Sequence, residues 1–591
     1  MKSIFRILSL TALASAATLS SCNDWLALEP ENSVTASKYW QSESDVSAAM
    51  TGIYIATMNM KDMMFLHGEM RADNLTPSPN TVNRNYQYIR EGNITSSNNF
   101  TQWAVYYSVI NNCNLLLEFA DQALAADPSF TVNACETYKA QATVMRALMY
   151  FYLIRTWKDV PYITWAYFDD TTDRNCAPSA QLDILNDLIR QLEEVQASGH
   201  LPYSYSNANV AQNKGKVTMY ALKALLADMY RLKGSLETDP AASQQAYRSC
   251  VVLCDEIIES GQFALIPVPK VAAAEAGGGY LDDARSAADS AFYVIDIASA
   301  NGFFRQVFAD GNSTESIFEL QADDYTASTN LYNILVASNR WAVPYRLRME
   351  ASVFPSTENE LAAAAGYEDV RLTCNSRGMG DNGYCWKYAG TTLDGGYDEV
   401  APAAAEYRRN YIVYRLAEIY LMKAEALVQI AWANDQDQQM LLDAYMALFK
   451  VRNRACAVEV TDLSVGGQYL QVQFFNQLRK GEPIALASGQ RITCSAMEQF
   501  VLDEECREML FEGRRWFDVL RTAERNLQGE GACTGGGLGY LLNIVADATT
   551  VEKATYLRNA YQKPESHYLP YPHQDVLMND LLSQKPFYGL E

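Results

Sequence analysis

The feature that most constrains the fold of this chain is a series of long segments in which apolar residues recur every three or four positions. This spacing places apolar side chains on one face of an α-helix, and each segment runs for roughly 15–24 residues. The segments are "SESDVSAAMTGIYIATM", "FTQWAVYYSVINNCNLLLEFA", "ACETYKAQATVMRALMYFYLIRTW", "LDILNDLIRQLEEV", "GKVTMYALKALLADMYRL", "AYRSCVVLCDEIIESG", "NYIVYRLAEIYLMKAEALVQIAWA" and "QQMLLDAYMALFKVRNRACA". Short turns join the segments, and alanines occur where helices could pack closely. The pattern predicts a mostly α, tetratricopeptide-like scaffold of stacked helix pairs, although the segments are too irregularly spaced to be strict repeats.

A change of character interrupts this helical pattern. Between residues 262 and 405 glycine, asparagine, aspartate and tyrosine become frequent, and only short strand-like pieces such as "SIFELQ" occur. We therefore expect a helical region over 22–261, an inserted loop-rich lobe over 262–405, and a second region of helices and loops over 406–591. Loops carried by a rigid scaffold are where binding residues tend to lie.

The first residues have the pattern of an export signal. Lys2 and Arg6 form a short basic region, and the apolar stretch that follows stops well short of the ~20 residues a membrane-spanning helix needs. "LSSC" then resembles the lipobox of bacterial lipoproteins. We expect residues 1–21 to be removed and Cys22 to carry lipid, which anchors a protein without spanning the membrane. The alternative is an ordinary secreted protein in which Cys22 is buried.

Composition excludes one class of partner. The chain has a net charge of −23 and a hydrophobic content of 49%, so it should form a packed globule whose acidic surface repels nucleic acid.

The cysteines indicate core residues rather than a metal site. Twelve are present, and once Cys22 is set aside an odd number remains, which cannot all pair within the chain. Cys250 and Cys254 are four apart on a predicted helix and lack the further ligands that zinc requires, so we expect buried thiols. Cys374 and Cys385, which flank a glycine-rich loop, are the better candidates for a disulfide in an exported protein.

Motifs of catalysis are weak in this sequence. The four histidines do not form H-E-x-x-H. "GMGDNG" at 378–383 and "GACTG" around Cys533 match a nucleotide loop and a nucleophile elbow only in letters, because neither has the strand and helix that such motifs require. A pair of carboxylates spaced for glycoside hydrolysis stays open, since distance decides that question. We expect a protein that is not an enzyme and needs no cofactor or metal.

A dense set of charges lies in "EECREMLFEGRRWFDVLR". It could supply acid and base groups, but we expect a salt-bridge network that holds a helix end. Its members are Glu505, Glu508, Glu512, Arg514, Arg515 and Arg521. Farther upstream, Arg415 and Glu418 are three residues apart in "RLAEIYLMKAEAL", which predicts an ion pair at the edge of a helix.

An ordered set of motifs carries a family resemblance from Cys22 to the C-terminus. It consists of "WAVYYSVINNCNLLLE", "YKAQATVMRALMYFYLIRTWKDVPYI", "GKVTMYALKALLADMYRLKG", "ESIFELQ", "YIVYRLAEIYLMKAEAL", "VRNRACA", "VLDEECREMLFEGRRWFDVLR" and "HYLPYPHQDVLMNDLLSQKPFY". Together they resemble the SusD/RagB family of surface lipoproteins. The chain departs from the family at Lys158, where glycine is usual, and in a looser "LPYPHQDV".

The resemblance implies a function. Proteins similar to this one lie on the outer face of the outer membrane as non-catalytic lids over a TonB-dependent, SusC-like transporter. They capture oligosaccharides, or peptides in the RagB-like branch, and deliver them to the transporter. An abundance of aromatic residues, 37 Tyr, 9 Trp and 21 Phe, suits binding to the apolar faces of sugars.

Two loop regions supply the candidate ligand residues. "GEMRADNLTPSPNTVNRNYQYIREGN" belongs to a segment from which the family's binding surface is drawn, and "DDYTASTNLYNILVASNRWAVPYRLR" offers aromatic and basic groups. The candidates are Asp73, Arg84, Tyr86, Tyr325, Trp341 and Arg346. We expect Tyr86 and Trp341 to form an exposed aromatic platform; the alternative for Trp341 is a place in the small core of the lobe.

Overall fold

The structure is a computed structural model, and the residues it describes are mainly those of the helical scaffold. They are 39–77, 84–168, 175–205, 209–267, 304–322, 409–455, 493–527 and 551–589, with the short pieces 270–272, 293–295, 341–342, 371, 376–377, 384–385, 387–388 and 539–542. Cys22 and the signal segment lie outside these ranges. So do Tyr325, Arg346, the 378–383 loop and Cys533.

Helices dominate the described residues. In chain order they are α1 Glu43–Asn59, α2 Lys61–Glu69, α3 Arg84–Arg90, α4 Ala104–Ala126, α5 Val132–Trp157, α6 Gln181–Ser198, α7 Val210–Gly215, α8 Met219–Leu236, α9 Pro240–Glu259, α10 Leu416–Ala433, α11 Gln438–Ala455, α12 Cys494–Glu508, α13 Arg515–Leu527, α14 Val551–Tyr561 and α15 His573–Met578. The predicted mostly α class is confirmed. In the described ranges, no helix combines the length and apolarity needed to cross a membrane.

Consecutive helices pack as pairs, and the pairs stack on one another. α4 packs on α5, α8 on α9 and α10 on α11. α6 bridges α5 and α8, while α9 packs directly against α10, although a long stretch of chain separates these two helices. Each helix can therefore bury its apolar face against a neighbour, which is how helix-pair stacks are stabilised.

Side-chain caps explain where several helices begin. The hydroxyl of Thr131 accepts from the amide of Ala134 at the start of α5, and Thr218 caps α8 in the same way. α9 begins with Asp239 as cap and Pro240 in its first turn, and Gly261 follows its end with φ +66°. These are the signals that satisfy the free amide and carbonyl groups of helix ends.

Short strands accompany the helices. They are β1 Thr76–Pro77, β2 Val160–Pro161, β3 Pro178–Ser179, β4 Lys270–Ala272, β5 Tyr293–Ile295, β6 Ser316–Leu320, β7 Trp341–Ala342, β8 Ser376–Arg377, β9 Tyr384–Cys385 and β10 Tyr411–Arg415. All form antiparallel pairs: β1 with β7, β2 with β3, β4 with β5, β6 with β10 and β8 with β9.

The β6–β10 pair is the buried one, and it connects the irregular part of the chain to the scaffold. Every residue of both strands is buried, and β10 continues without a break into α10. The strand predicted at "SIFELQ" is confirmed. Most of 262–405 lies outside the described ranges, so the boundaries of the lobe remain predictions.

The described cysteines are free thiols, and most of them are buried. Cys250 and Cys254 lie in the core, as predicted. The pKa of Cys254 is raised well above its usual value, mainly by burial and also by the neighbouring Cys250. The side chains of Cys374 and Cys385 lie outside the described residues.

Candidate functional site

A buried network of arginines and carboxylates is centred on α12 and α13. Glu508 accepts from Arg415 at 2.7 Å and from Arg371 at 2.9 Å, and it also pairs with Arg454. Burial raises the pKa of Glu508, but Arg454, Arg415 and Arg371 outweigh it and hold the pKa well below its usual range. A carboxylate surrounded in this way stays ionised, and it does not exchange protons near neutral pH.

The predicted salt-bridge network is present, although most of its partners come from distant segments. Arg521 bonds Glu425 of α10 at 2.7 Å, and Arg231 of α8 bonds Glu505 at 2.8 Å. Arg525 reaches Glu425 at 2.9 Å. The network therefore joins α8, α10, α12 and α13, and its role is to hold helices together.

The predicted pair between Arg415 and Glu418 is wrong. Arg415 bonds Glu512 at 2.6 Å as well as Glu508, whereas Glu418 lies 3.2 Å from Arg514. The reason is that Arg415 has extended backbone angles, φ −140° and ψ 158°, and ends β10 rather than lying within α10. The i, i+3 proximity of a helix does not apply to it.

The two predicted binding regions meet at a short strand pair. Pro77 of β1 lies opposite Trp341 of β7, and α3 packs against β1. The structure thus places the backbone of Trp341 next to the segment that leads to Tyr86. Of the Trp341 side chain nothing is described, so its part in a platform stays a prediction.

The side chains of α3 differ in how far they are open to solvent. Arg84 is exposed, and Tyr88 is 36% exposed. Tyr86 is half-buried, with its ring centroid 4.8 Å from that of Phe100. Its pKa is raised mainly by burial and further by the negative charge of Asp62. Tyr86 therefore has one face committed to the protein, and Tyr88 is the more open ring of this helix.

Asp73 is half-buried and forms an ion pair with Arg515 of α13. Its Oδ1 accepts from Nε of Arg515 at 2.9 Å and its Oδ2 accepts from Nη2 at 3.2 Å. Because both oxygens are engaged, Asp73 is well suited to fix the start of the binding segment to α13. Its role as a ligand residue remains a prediction.

One further aromatic residue belongs to this surface and was not selected from the sequence. Tyr556 of α14 is 50% exposed, and its ring lies against Gly92. Gly92 belongs to the turn after α3, which is closed by a hydrogen bond from the amide of Asn93 to the carbonyl of Tyr88. Gly92 has φ +71° and a side chain there would meet Leu557. An aromatic residue on a helix is usually interpreted as core, so sequence periodicity did not distinguish Tyr556.

We call Arg84, Tyr88, Tyr556 and the backbone of β7 the α3 surface. Tyr86 is two residues from both Arg84 and Tyr88, so it faces another side of α3, where its ring packs on Phe100. The α3 surface offers tyrosine rings with hydroxyl groups and an exposed guanidinium. Such a surface can hold an extended ligand by ring contact and hydrogen bonds.

A possible cation position occurs elsewhere among the described residues. Asp121, Cys135 and Glu136 bring ligand atoms close together. The Lys139 ammonium lies 2.9 Å from Asp121 and 3.0 Å from Glu136, so both carboxylates already share a cation of the protein.

Two family models match separate parts of the chain. Residues 347–588 match the SusD family, and residues 24–227 match a family described as "Starch-binding associating with outer membrane". Similar proteins include SusD-like protein P38 of Formosa agariphila, 23% identical over 88% of this chain and 92% of its own length. SusD-like protein P25 of the same organism is 23% identical over 95% of each chain.

Solved structures share the fold. A SusD homologue from Bacteroides thetaiotaomicron superposes with a TM-score of 0.61 at 17% identity, covering 93% of this chain and 100% of its own. Surface glycan-binding protein A from Bacteroides uniformis gives 0.61 at 17% identity over 92% and 100%. A laminarin-binding SusD-like protein gives 0.57 at 16% identity over 93% and 100%. With its helical fold and both family matches, this chain belongs to the SusD/RagB family.

Proposed function

We propose that this protein is a cell-surface lipoprotein of the outer membrane that captures oligosaccharides and delivers them to a SusC-like, TonB-dependent transporter. The observation that carries the proposal is the α3 surface, where two regions far apart in sequence meet and present tyrosines and an arginine. The SusD family consists of non-catalytic binding proteins, which fits a surface of exposed tyrosine rings and a guanidinium.

Relatives support sugar as the ligand class. One matching family is described as starch-binding, and one structural relative binds laminarin. Tyrosine rings pack against the apolar faces of sugar rings, and their hydroxyl groups bond the edges at little cost in side-chain entropy. Arg84, Tyr325, Trp341 and Arg346 complete the proposed set of ligand groups.

The lipid anchor rests on the sequence of the first residues. Cys22 follows a short apolar stretch and ends the sequence "LSSC". We expect Cys22→Ala to release the protein from the outer-membrane fraction, because the lipid is the proposed attachment. Equal amounts of variant and unaltered protein in that fraction after washing would contradict the anchor.

The ligand is tested with the mature chain made without its signal peptide and Cys22, which keeps every described residue. A glycan array should identify a bound oligosaccharide, and calorimetry should then compare Tyr88→Ala, Tyr86→Ala and Trp341→Ala with the unaltered chain. An aromatic anchor contributes on the order of 1–3 kcal/mol, so affinity should fall by roughly 5- to 150-fold. The melting temperature is measured on each variant.

The matched control is Tyr203→Ala, because Tyr203 is an exposed tyrosine that lies after α6 and outside the α3 surface. It should leave affinity unchanged. Loss of binding only through unfolding rejects that residue as a ligand group. Binding of peptides but no glycan would overturn the proposed ligand class.

A further inference from the structure

A second group of exposed aromatic rings lies on the loop that follows β2. Trp165 is 41% exposed and Phe168 is 51% exposed. The rings of Trp165 and Tyr167 meet edge to face at 6.2 Å, and Phe168 meets Phe119 of α4 in the same way at 5.7 Å. Single exposed rings are common on protein surfaces, but neighbouring exposed rings on one short loop are typical of a contact site.

The loop is held rigid by side chains of α4 rather than by strand pairing. Asn111 accepts from the amide of Tyr167 at 2.7 Å and donates to its carbonyl at 2.9 Å, as a neighbouring strand would. Asn114 donates to the carbonyls of Ile163 and Trp165 at 3.2 and 2.9 Å.

These anchors are themselves fixed. Arg146 of α5 donates to the side-chain oxygen of Asn114 at 2.8 Å and to Gln191 of α6 at 2.8 Å. Tyr150 donates to the carbonyl of Ile163 at 2.8 Å and accepts from its amide at 2.7 Å. Three helices therefore determine the position of the rings, so a ligand would not have to order them on binding.

Polar groups surround the exposed rings. Thr164 and Glu118 are exposed, and Glu118 accepts from the amide of Ala166 at 3.4 Å. A ring face next to a hydroxyl and a carboxylate matches a sugar, which has apolar ring faces and hydroxyl edges. The nearby carboxylate and the net charge of −23 disfavour a sulfated or uronic-acid ligand.

We infer that the loop from Ile163 to Phe168 is a second contact site for neutral glycan, with Trp165 as its central ring. The inference rests on the proposed function, since it extends the same ligand class to another surface. Its anchor at Asn114 lies about 17 Å along α4 from Trp103, at a rise of 1.5 Å per residue, and Trp103 begins α4 near the ring that supports Tyr86. The loop is therefore a second site, separate from the α3 surface.

The test is native affinity electrophoresis of the mature chain in gels that contain soluble starch or laminarin, followed by calorimetry with maltoheptaose or laminariheptaose. Trp165→Ala should weaken retardation and lower affinity by roughly 5- to 150-fold. Trp165→Phe should restore most of the binding, because a ring remains. The matched control is Trp432→Ala, which removes a tryptophan of similar exposure, 39%, from α10.

Asn111 is a positioning residue in this scheme, and Asn111→Ala provides a second measurement. It removes both bonds to Tyr167, so proteolytic cleavage within the loop should accelerate and glycan affinity should fall by less than in Trp165→Ala. Unchanged affinity in a loop shown to be loosened contradicts the claim that rigidity assists binding.

The outcomes separate the inference from the proposed function. If the unaltered chain binds a neutral glycan and Trp165→Ala binds it equally well, the second site is wrong and the proposed function stands. If no glycan on the array binds the unaltered chain, both are wrong. Stronger retardation by alginate or carrageenan than by starch and laminarin overturns the neutral ligand class.

Discussion

Arg415 is fully buried, and its guanidinium is bonded on every nitrogen. Nε and Nη2 donate to Glu512 at 2.8 and 2.6 Å, and Nη1 donates to Glu508 at 2.7 Å. Burial alone would lower the pKa of Arg415, but Glu512 and Glu508 raise it well above its usual value. The cation is therefore retained in the interior at all pH values at which the protein is folded.

Replacing this residue should be costly. Arg415→Met leaves two buried carboxylates with fewer partners, and removal of one member of a buried ion pair costs about 3–5 kcal/mol of the free energy of unfolding. Urea unfolding followed by circular dichroism measures the change. The control is Arg190→Met, because Arg190 lies on the surface of α6 and pairs there with Asp187 and Glu194. Equal, small effects in the two variants would contradict a structural role for the network.

The sequence predicted the type of interaction that the charged residues make, but not which residues pair. The cluster of Glu and Arg in "EECREMLFEGRRWFDVLR" indicated an ion network, yet Asp73 and Arg515 are paired across 442 positions. Periodicity reports neighbours along one helix and carries no information on such distant pairs. For the same reason the sequence did not reveal that Phe100 covers one face of Tyr86.

At the scale of elements, the end of α5 carries a residue whose backbone conformation is one that favours glycine. Lys158 follows Trp157 with φ 67° and ψ −97°, a backbone conformation that costs a side chain energy and that glycine adopts freely. This is the position where the resembling family usually has glycine. The Lys158 ammonium lies 5.5 Å from the ring centroid of Tyr568, a weak interaction that the substitution would remove.

We expect Lys158→Gly to stabilise the protein by about 1 kcal/mol, because relief of the backbone exceeds the lost ring contact. The melting temperature measured by calorimetry checks the prediction. Lys158→Ala is the control: it removes the same ammonium but keeps the strained backbone, so it should not stabilise. A gain of equal size in both variants would show that the charge, rather than the backbone, is responsible.

Helices were the elements most readily predicted. The segments of α4, α8 and α9 repeat their apolar residues with a period near 3.6, whereas α5 is long and is buried on all sides from Val144 onward. The residues Thr131, Thr218 and Asp239 cap α5, α8 and α9. The pairing of β1 with β7 was not predictable, because two residues per strand carry no alternation. The α3 surface depends on that pairing, so the sequence supplied its residues but not their arrangement.

At the scale of the whole molecule, charge is distributed unevenly. The net charge is −23, yet many arginines lie in the interior, among them Arg231, Arg415 and Arg521. Buried carboxylates such as Glu425, Glu508 and Glu512 match these arginines, so in the described residues the interior is close to neutral and the negative charge lies mainly on the outer surface. Such a surface keeps a protein soluble and favours uncharged ligands over anionic ones.

The buried carboxyl groups give a specific dependence of stability on pH. Burial raises the pKa of Glu504, but Arg371 and Arg452 outweigh it and hold the pKa at about 2. Burial also raises the pKa of Asp228, but the surrounding arginines, chiefly Arg231, outweigh it and hold this pKa at about 2. These groups stabilise the fold fully above their ordinary pKa values, and that contribution is lost as the pH falls towards 2.

Two other groups act at higher pH and in opposite directions. Burial raises the pKa of Glu69 to about 7, against the opposing effect of its bond from Asn74, so the folded state binds more protons and gains stability as the pH falls from 7 to about 4.5. Burial lowers the pKa of His67 to about 4, against the opposing bond to the carbonyl of Phe100, so the folded state loses stability as the pH falls from about 6.5 to 4.

We therefore expect stability not to fall between pH 7 and 5, because Glu69 and Glu418, whose pKa burial likewise raises to about 7, together outweigh His67. The melting temperature should fall steeply below about pH 4.5, where the unfolded chain binds protons at Glu504 and Asp228 and the folded state does not. Calorimetric scans from pH 8 to 3 measure the profile. Glu69→Gln should reduce the stability that is gained as the pH falls from 7 to 5, because one of the two carboxyl groups that oppose His67 is then absent, while the steep acid limb remains. A profile in which the variant and the unaltered chain run parallel would contradict the assignment to Glu69, and a shallow acid limb would contradict the assignment to the buried carboxylates.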